Sequence, residues 1–297
     1  MKAINAFRRD LLNAIKRKNC RGPGQHSVLS KNSKAISPWR GGGIFLRLRW
    51  PNASARLATP SRAWKRANFE GRSTSLTAGC NLQGKGTSLG GMRPKCTVLD
   101  DNGTLAIGKF PNVGDSRSVT RGEVLALRLA AKAGIDAAPA RIVVLNGDAV
   151  AVIARFDRTA DHARIHYLSA ASMLQASREE DRCYAEIADV IRARCVSPTR
   201  DVQQLWRRMV FNLLITNVDH HLQNHGFLYQ GKGQWRLAPA FDINPVPDKD
   251  REFKTWLTQD TGPITSLAMS IGNAAYFGLS ADAARLVLAE VLRAIMR

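Results

Sequence analysis

The 297-residue sequence has no long hydrophobic run. Its longest unbroken apolar stretches, such as residues 149–154, fall far short of the roughly 18 residues that mark a membrane-spanning helix. No apolar h-region lies within residues 1–21, so no secretory signal is expected. Cysteine is scarce. Cys20, Cys80, Cys96, Cys183 and Cys195 make an odd set without C-x-x-C spacing, which argues against a disulfide framework and a zinc site and suits a reducing cytoplasm. Acids are almost missing from the leading segment: residues 1–80 hold 17 Lys and Arg against only Asp10 and Glu70. Most of the formal charge of +20 therefore sits there, because the remaining 217 residues carry 27 basic and 22 acidic groups. The 44% hydrophobic and 23% charged balance excludes collagen, coiled coil and wholesale disorder and is a prior for about two domains.

Residues 1–78 read as a basic, poorly ordered extension. Residues 1–18 suit one short basic helix with Ile4, Phe7, Leu11, Leu12 and Ile15 on one face. Arg21-Gly22-Pro23-Gly24, Ser37-Pro38 and Gly41-Gly42-Gly43 then break any regular element. An arm for nucleic acid or an acidic membrane surface competes with a plain extension, a degraded domain or a start placed too far upstream. Trp39, Trp50 and Trp64 stand beside basic residues but lack the strand pattern that would align them as a stacking platform.

Order begins near residue 79. Residues 96–99 and 104–110 form a hairpin around Asp100-Asp101-Asn102-Gly103, its second strand carrying Lys109. Residues 120–133 have helical spacing and stop at Gly134. Residues 141–145 and 148–156, joined by Asn146-Gly147, form a second hairpin. Helices are expected near 169–175, 179–194, 201–216 and 281–296, with Ser280 as N-cap of the last. A strand-rich lobe over 79–158 and a helical lobe over 159–297 make an α+β architecture that suits a ligand cleft.

The chemistry concentrates in residues 217–225, Asn217-Val218-Asp219-His220-His221-Leu222-Gln223-Asn224-His225. This loop follows a helix with an apolar stripe of Val202, Leu205, Trp206, Met209, Val210 and Leu213, and precedes a third hairpin at 227–230 and 235–238. Phe241-Asp242 comes next. Helix, polar loop, hairpin and acid in that order allow Asp219, Asn224 and Asp242 to face one point. Phosphoryl transfer needs such a set: one carboxylate for the attacking hydroxyl, an amide and a second carboxylate for magnesium. Asp219 and Asn224 are five residues apart, the spacing of the protein-kinase catalytic loop, and Asp242 stands where D-F-G would begin, although Ile243-Asn244 follows. Lys109 is a candidate cation for ATP phosphates and Glu123 its partner. Gly84, Gly86, Gly90 and Gly91 flank Thr87-Ser88-Leu89 and offer backbone that can approach phosphates. A P-loop reading of 79–85 fails, because Gly86 stands where Ser or Thr should bind magnesium.

Several segments together resemble HipA-like toxin kinases: Ser88-Leu89-Gly90-Gly91-Met92-Arg93-Pro94-Lys95, Ile107-Gly108-Lys109-Phe110-Pro111, Arg155-Phe156-Asp157-Arg158, the 217–224 loop and Leu237-Ala238-Pro239-Ala240-Phe241-Asp242. The likeness covers about residues 75–250. It implies a two-lobed protein-kinase-like fold, an ATP- and Mg2+-dependent serine/threonine kinase, and the toxin of a type II toxin–antitoxin pair. It further implies a HipB-type antitoxin as partner, DNA met only through that antitoxin, no membrane, a cytoplasmic setting, and a protein substrate such as an aminoacyl-tRNA synthetase. By the same resemblance Asp219 is the catalytic base, Asn224 and Asp242 the magnesium ligands, and Lys109 the phosphate lysine. Arg155 and Phe156 fall on the adenine hinge, Gly90 and Gly91 in the ATP loop, and His221 orients the catalytic loop. Ser88 corresponds to an autophosphorylated serine.

His220, His221 and His225 could suggest zinc, but the kinase loop already accounts for Asp219. Trp206 and Trp235 read as core. The chain departs from the family in lacking a recognisable N-terminal subdomain and in having only 55 residues after Asp242. A pared-down variant, a split toxin or a decaying gene are the expectations this raises. The alternatives to a protein kinase are a small-molecule kinase and an inactive remnant that binds an antitoxin or nucleic acid.

Overall fold

A strand can bury one face or both, and the burial pattern tells which. In the computed structural model, strand β3 (Lys95–Leu99) alternates, with Cys96 and Val98 buried, whereas β6 (Asp148–Ala154) is buried continuously from Ala149 to Ile153. The first is the pattern of a half-covered strand and the second of a central one. The structure describes residues 93–99, 104–112, 114–145, 147–177, 180–246 and 253–296 in full, and 45–48 and 55–57 by backbone alone. Ser88, Gly90, Gly91, the flanking Gly84 and Gly86, the P-loop-like segment, and the expected helix at 1–18 lie outside the described residues.

Strand β6 sits inside a six-stranded sheet of order β2-β1-β3-β4-β6-β5. Its members are β1 (Phe45–Leu48), β2 (Ala55–Leu57), β3, β4 (Leu105–Lys109), β5 (Ala140–Leu145) and β6. β1 on β2, β3 on β4 and β4 on β6 pair antiparallel, whereas β1 and β3 run parallel with Phe45 opposite Thr97. Both sequence-expected hairpins of this region are present, while β1 and β2 fall in a stretch whose glycines and prolines hide them from sequence. The sheet packs Cys96, Val98, Ala106, Phe110, Val143, Val150 and Val152 into one cluster, each large side chain contributing about 1.5–3 kcal/mol by burial. Thr120 Oγ1 donates to the Ala149 carbonyl at 2.7 Å within this unit.

The described residues divide into two compact units. One holds the chain up to Arg121 together with Arg141–Ala154; the other holds Gly122–Ala140 and Arg155 onward. Helix α1 (Val119–Lys132) enters the second unit. It ends as its sequence dictates: Gly134, at φ 73°, donates to Ala131 O at 3.1 Å, and Ile135 N–H reaches Ala130 O at 3.0 Å. These are the two bonds of a Schellman cap.

The second unit is built around α4 (Pro198–Ile215). The expected stripe of Val202, Leu205, Trp206, Met209, Val210 and Leu213 is buried, but so are Phe211, Leu214 and Ile215, so the helix is covered nearly all round. It starts at Pro198, three residues before the expected start, because Pro suits the first helical turn. The neighbouring α3 (Tyr184–Arg194) begins late at Tyr184, where Glu186 accepts the Cys183 N–H at 2.9 Å, and the expected 169–175 helix shortens to α2 (Ala170–Met173) capped by Ser169. Strands β7 (Tyr167–Ser169), β8 (Gly226–Gly231) and β9 (Gln234–Leu237) form an antiparallel sheet, β8 and β9 being the third expected hairpin. Two further helices, α5 (Leu267–Gly272) and α6 (Ala281–Met296), complete it. No helix among the described residues is long and apolar enough to cross a membrane.

Candidate active site

The loop that carries Asp219 begins where α4 is forced to stop. Thr216 adopts the left-handed conformation, φ 57° and ψ 48°, unusual for a β-branched residue and held by its surroundings. Its carbonyl accepts Val246 N–H at 2.9 Å. Fully buried Asn217 then bonds on both sides: its N–H reaches Asn212 O at 2.9 Å, its Nδ2 donates to Asn212 Oδ1 at 3.2 Å, and its Oδ1 accepts Asn244 N–H at 3.2 Å. Two amides thus stitch the start of the loop to the segment just beyond Asp242. The sequence offered for Asn217 only its place directly after a helix; its burial and its bonds to both sides come from the fold.

Asn224 closes a single 3-10 turn, Leu222–Asn224. Its Nδ2 donates to the Asp219 carbonyl at 3.0 Å and its N–H to His221 O at 2.9 Å, so the amide oxygen is the end that remains for a cation. Asp242 is also left-handed, φ 54°, and its Oδ1 accepts Asn244 Nδ2 at 2.9 Å. The Asp219 side chain is 60% exposed and meets Lys254 Nζ at 2.5 Å. Lys254 was invisible to sequence reading, since 35 residues separate the pair. Asp219, Asn224 and Asp242 therefore belong to two segments joined by hydrogen bonds.

Beneath the loop lies a buried polar chain. Tyr184 O–H meets His220 Nδ1 at 2.5 Å, and Thr255 Oγ1 donates to His220 O at 2.9 Å. The His220 and His225 rings meet edge to face at 4.2 Å. Burial pushes the His220 pKa down to about 3 and that of His225 far below the usual imidazole value, so both rings are neutral at physiological pH. They are pillars under the loop. His221 holds the loop through its backbone carbonyl; its Nδ1 is buried without a hydrogen-bond partner. No cluster of three or more His, Cys, Asp or Glu suited to a metal occurs among the described residues.

Lys109, at the end of β4, and Glu123, in α1, are both buried. Arg155 makes a two-point ion pair with Asp157, Nε to Oδ1 at 2.8 Å and Nη2 to Oδ2 at 2.5 Å, joined by Arg158 at 2.6 Å. Burial alone would raise the Asp157 pKa, yet the two guanidiniums hold it below the usual carboxylate value. The Phe156 ring packs on Phe241 at 5.5 Å and Tyr167 at 6.3 Å; its side chain belongs to an aromatic cluster next to Asp242. Trp206 is core, whereas Trp235 is partly exposed against Tyr229.

The model of the HipA-like C-terminal domain family matches residues 87–297. "Putative kinase Y4mE" of Sinorhizobium fredii is 27% identical over 180 residues, covering 54% of this chain and 43% of its own. A "Putative kinase" of Haemophilus influenzae is 23% identical over 190 residues, 55% of each chain. The chain thus spans about half the length of the curated relatives it matches. Among solved structures, HipA in the Shewanella oneidensis toxin–antitoxin complex of HipA, HipB and operator DNA aligns with a TM-score of 0.59 and 19% identity over 70% of this chain and 56% of that one. The Helicobacter pylori proinflammatory kinase CtkA aligns at 0.50 and 16% identity, over 65% of this chain and 78% of that one. Both likenesses are likenesses of fold.

Proposed function

The chain belongs to the family of HipA-like C-terminal domains, and from that premise we propose that it is an ATP- and magnesium-dependent kinase acting on serine or threonine of a protein. One observation carries the reading: the Asn224 amide is bonded to the backbone carbonyl of Asp219 at 3.0 Å, in a loop tied through Asn217 to the segment of Asp242. In this reading Asp219 orients the attacking hydroxyl and takes its proton. Asn224 and Asp242 hold magnesium; both offer hard oxygen atoms, the donors that ion prefers. When bound, magnesium neutralises charge on the phosphates.

Lys109 holds the phosphates, with Glu123 as the acid that keeps the lysine in place. Backbone at Gly90 and Gly91 approaches the phosphates, and backbone at Arg155 and Phe156 meets the adenine. An ATP-binding lobe over 79–158 and a catalytic lobe over 159–297 divide the work. The toxin role, a HipB-type antitoxin as partner, DNA through that antitoxin, a cytoplasmic setting and a translation component as substrate belong to the same proposal. The HipA–HipB–DNA assembly of the structural neighbour supports the choice of partner.

The test is transfer of labelled γ-phosphate from ATP and Mg2+ to the full chain, with Asp242→Ala as control and mass spectrometry of the Ser88 peptide. Label on Ser88 that vanishes in the variant is the expected result. A folded wild type that labels neither itself nor any protein in a lysate would sink the reading in favour of an inactive remnant. Label on small molecules alone would indicate a small-molecule kinase.

A further inference from the structure

The D-F-G pattern places a glycine two residues after its Asp, and this chain places Asn244 there. The two ends of that amide are treated differently. Nδ2 donates to Asp242 Oδ1 at 2.9 Å, while Oδ1 is buried and accepts no hydrogen bond. Exchanging the ends would set the amide oxygen against the Asp242 carboxylate, so the chemistry fixes which end faces which way. The backbone of Asn244 is pinned as well, its N–H donating to Asn217 Oδ1 at 3.2 Å.

A buried carbonyl oxygen that meets no donor has lost its water without replacement. A divalent cation is one thing that restores the balance, because hard cations accept neutral amide oxygens alongside carboxylates. Asn224 and Asp242 already supply one of each in the kinase reading, on which this step rests. We propose that Asn244 is a further ligand of the same cation: its amide nitrogen orients the Asp242 carboxylate, and its Oδ1 binds the ion. A neutral third ligand strengthens ion binding without adding negative charge beside the phosphates. Where the glycine of D-F-G offers only backbone, this chain offers an oxygen.

The experiment is a Mn2+ titration of the full chain with a non-hydrolysable ATP analogue, read by water-proton relaxation enhancement, which separates protein-bound from nucleotide-bound ion. Wild type, Asn244→Ala and Asn244→Cys are compared, with thermal melts as folding controls. The alanine variant should bind Mn2+ at least about 10-fold more weakly while folded. The cysteine variant should lose Mn2+ affinity likewise and gain Cd2+, seen as an extra thiolate-to-cadmium absorption band over wild type, since a soft ligand selects a softer ion. Being close to Asn in size, it carries the test if the alanine variant does not fold. Mn2+ affinity unchanged in the folded variants, or lost without a cadmium band, overturns the ligand assignment and leaves Oδ1 satisfied by water. A wild type that binds no Mn2+ with the analogue instead removes the kinase reading itself, and the assignment with it.

Discussion

The Asp219 carboxylate is 60% exposed and paired with an equally exposed Lys254. An exposed pair of this kind contributes at most about 1 kcal/mol, so in the proposed kinase role a hydroxyl would displace the lysine at little cost. Asp219→Ala should therefore leave nucleotide affinity nearly intact while lowering phosphate transfer by about 10²–10⁴-fold. Transfer at the wild-type rate in that variant would refute the base role. The histidines beneath the loop make a different prediction. The folded His220 pKa of about 3 lies below the ordinary 6.5, so between those values the unfolded chain takes up a proton that the folded chain refuses. This stability is fully present above pH 6.5 and is lost as pH falls toward 3, at up to about 1.4 kcal/mol per pH unit for His220. Melting temperature should fall more steeply with acid in wild type than in His220→Gln; equal slopes would contradict it. Residue type and spacing singled out Asp219, Asn224 and Asp242 as candidates. They could not tell which histidine is a pillar, because adjacent His220 and His221 differ only in what surrounds them.

At the scale of elements, the site is a loop clamped between a helix end and a strand start. The helix end is Thr216, whose left-handed backbone no sequence rule favours and which survives through the Val246 and Asn217 bonds. The strand start is Gly226, the first residue of β8, where Tyr167 on β7 lies so close that a Cβ on Gly226 would overlap its ring. Gly226→Ala should cost about 1–3 kcal/mol, read as a lower melting temperature, and Tyr167→Ala should recover part of that loss in the double variant. If Gly226→Ala melts with wild type, the close approach is not what fixes the loop exit. The three hairpins and most of the helices were legible because alternation, Asn-Gly turns and a Gly stop are local signals. Strand β7 was not, for three residues running straight into the Ser169 helix cap are too short to show alternation and become a strand by pairing with β8.

For the whole molecule, nucleotide binding is a stability statement. A ligand that binds only the folded chain stabilises it by about 2.7 kcal/mol at one hundred times its Kd. ATP with Mg2+ should therefore raise the melting temperature, and Lys109→Ala should shrink the rise through weaker affinity. An unchanged rise in that variant would remove Lys109 from the phosphate site. The buried thiols Cys96, Cys183 and Cys195 are free, so this measurement needs no control of disulfide state for them.

Local chemistry settles what neighbouring residues can settle. The Asp-to-Asn spacing, the apolar stripe of α4, the Schellman stop at Gly134 and the hairpin turns all follow from side-chain type at short range, and they sufficed to indicate an α+β fold and to single out the candidate loop. Distance along the chain hid the rest. Lys254 reaches Asp219, Asn244 reaches Asn217 and Tyr184 reaches His220 across 35, 27 and 36 residues. No periodicity or motif encodes such pairs; they exist because burial leaves each polar group to find a partner among whatever the fold brings near.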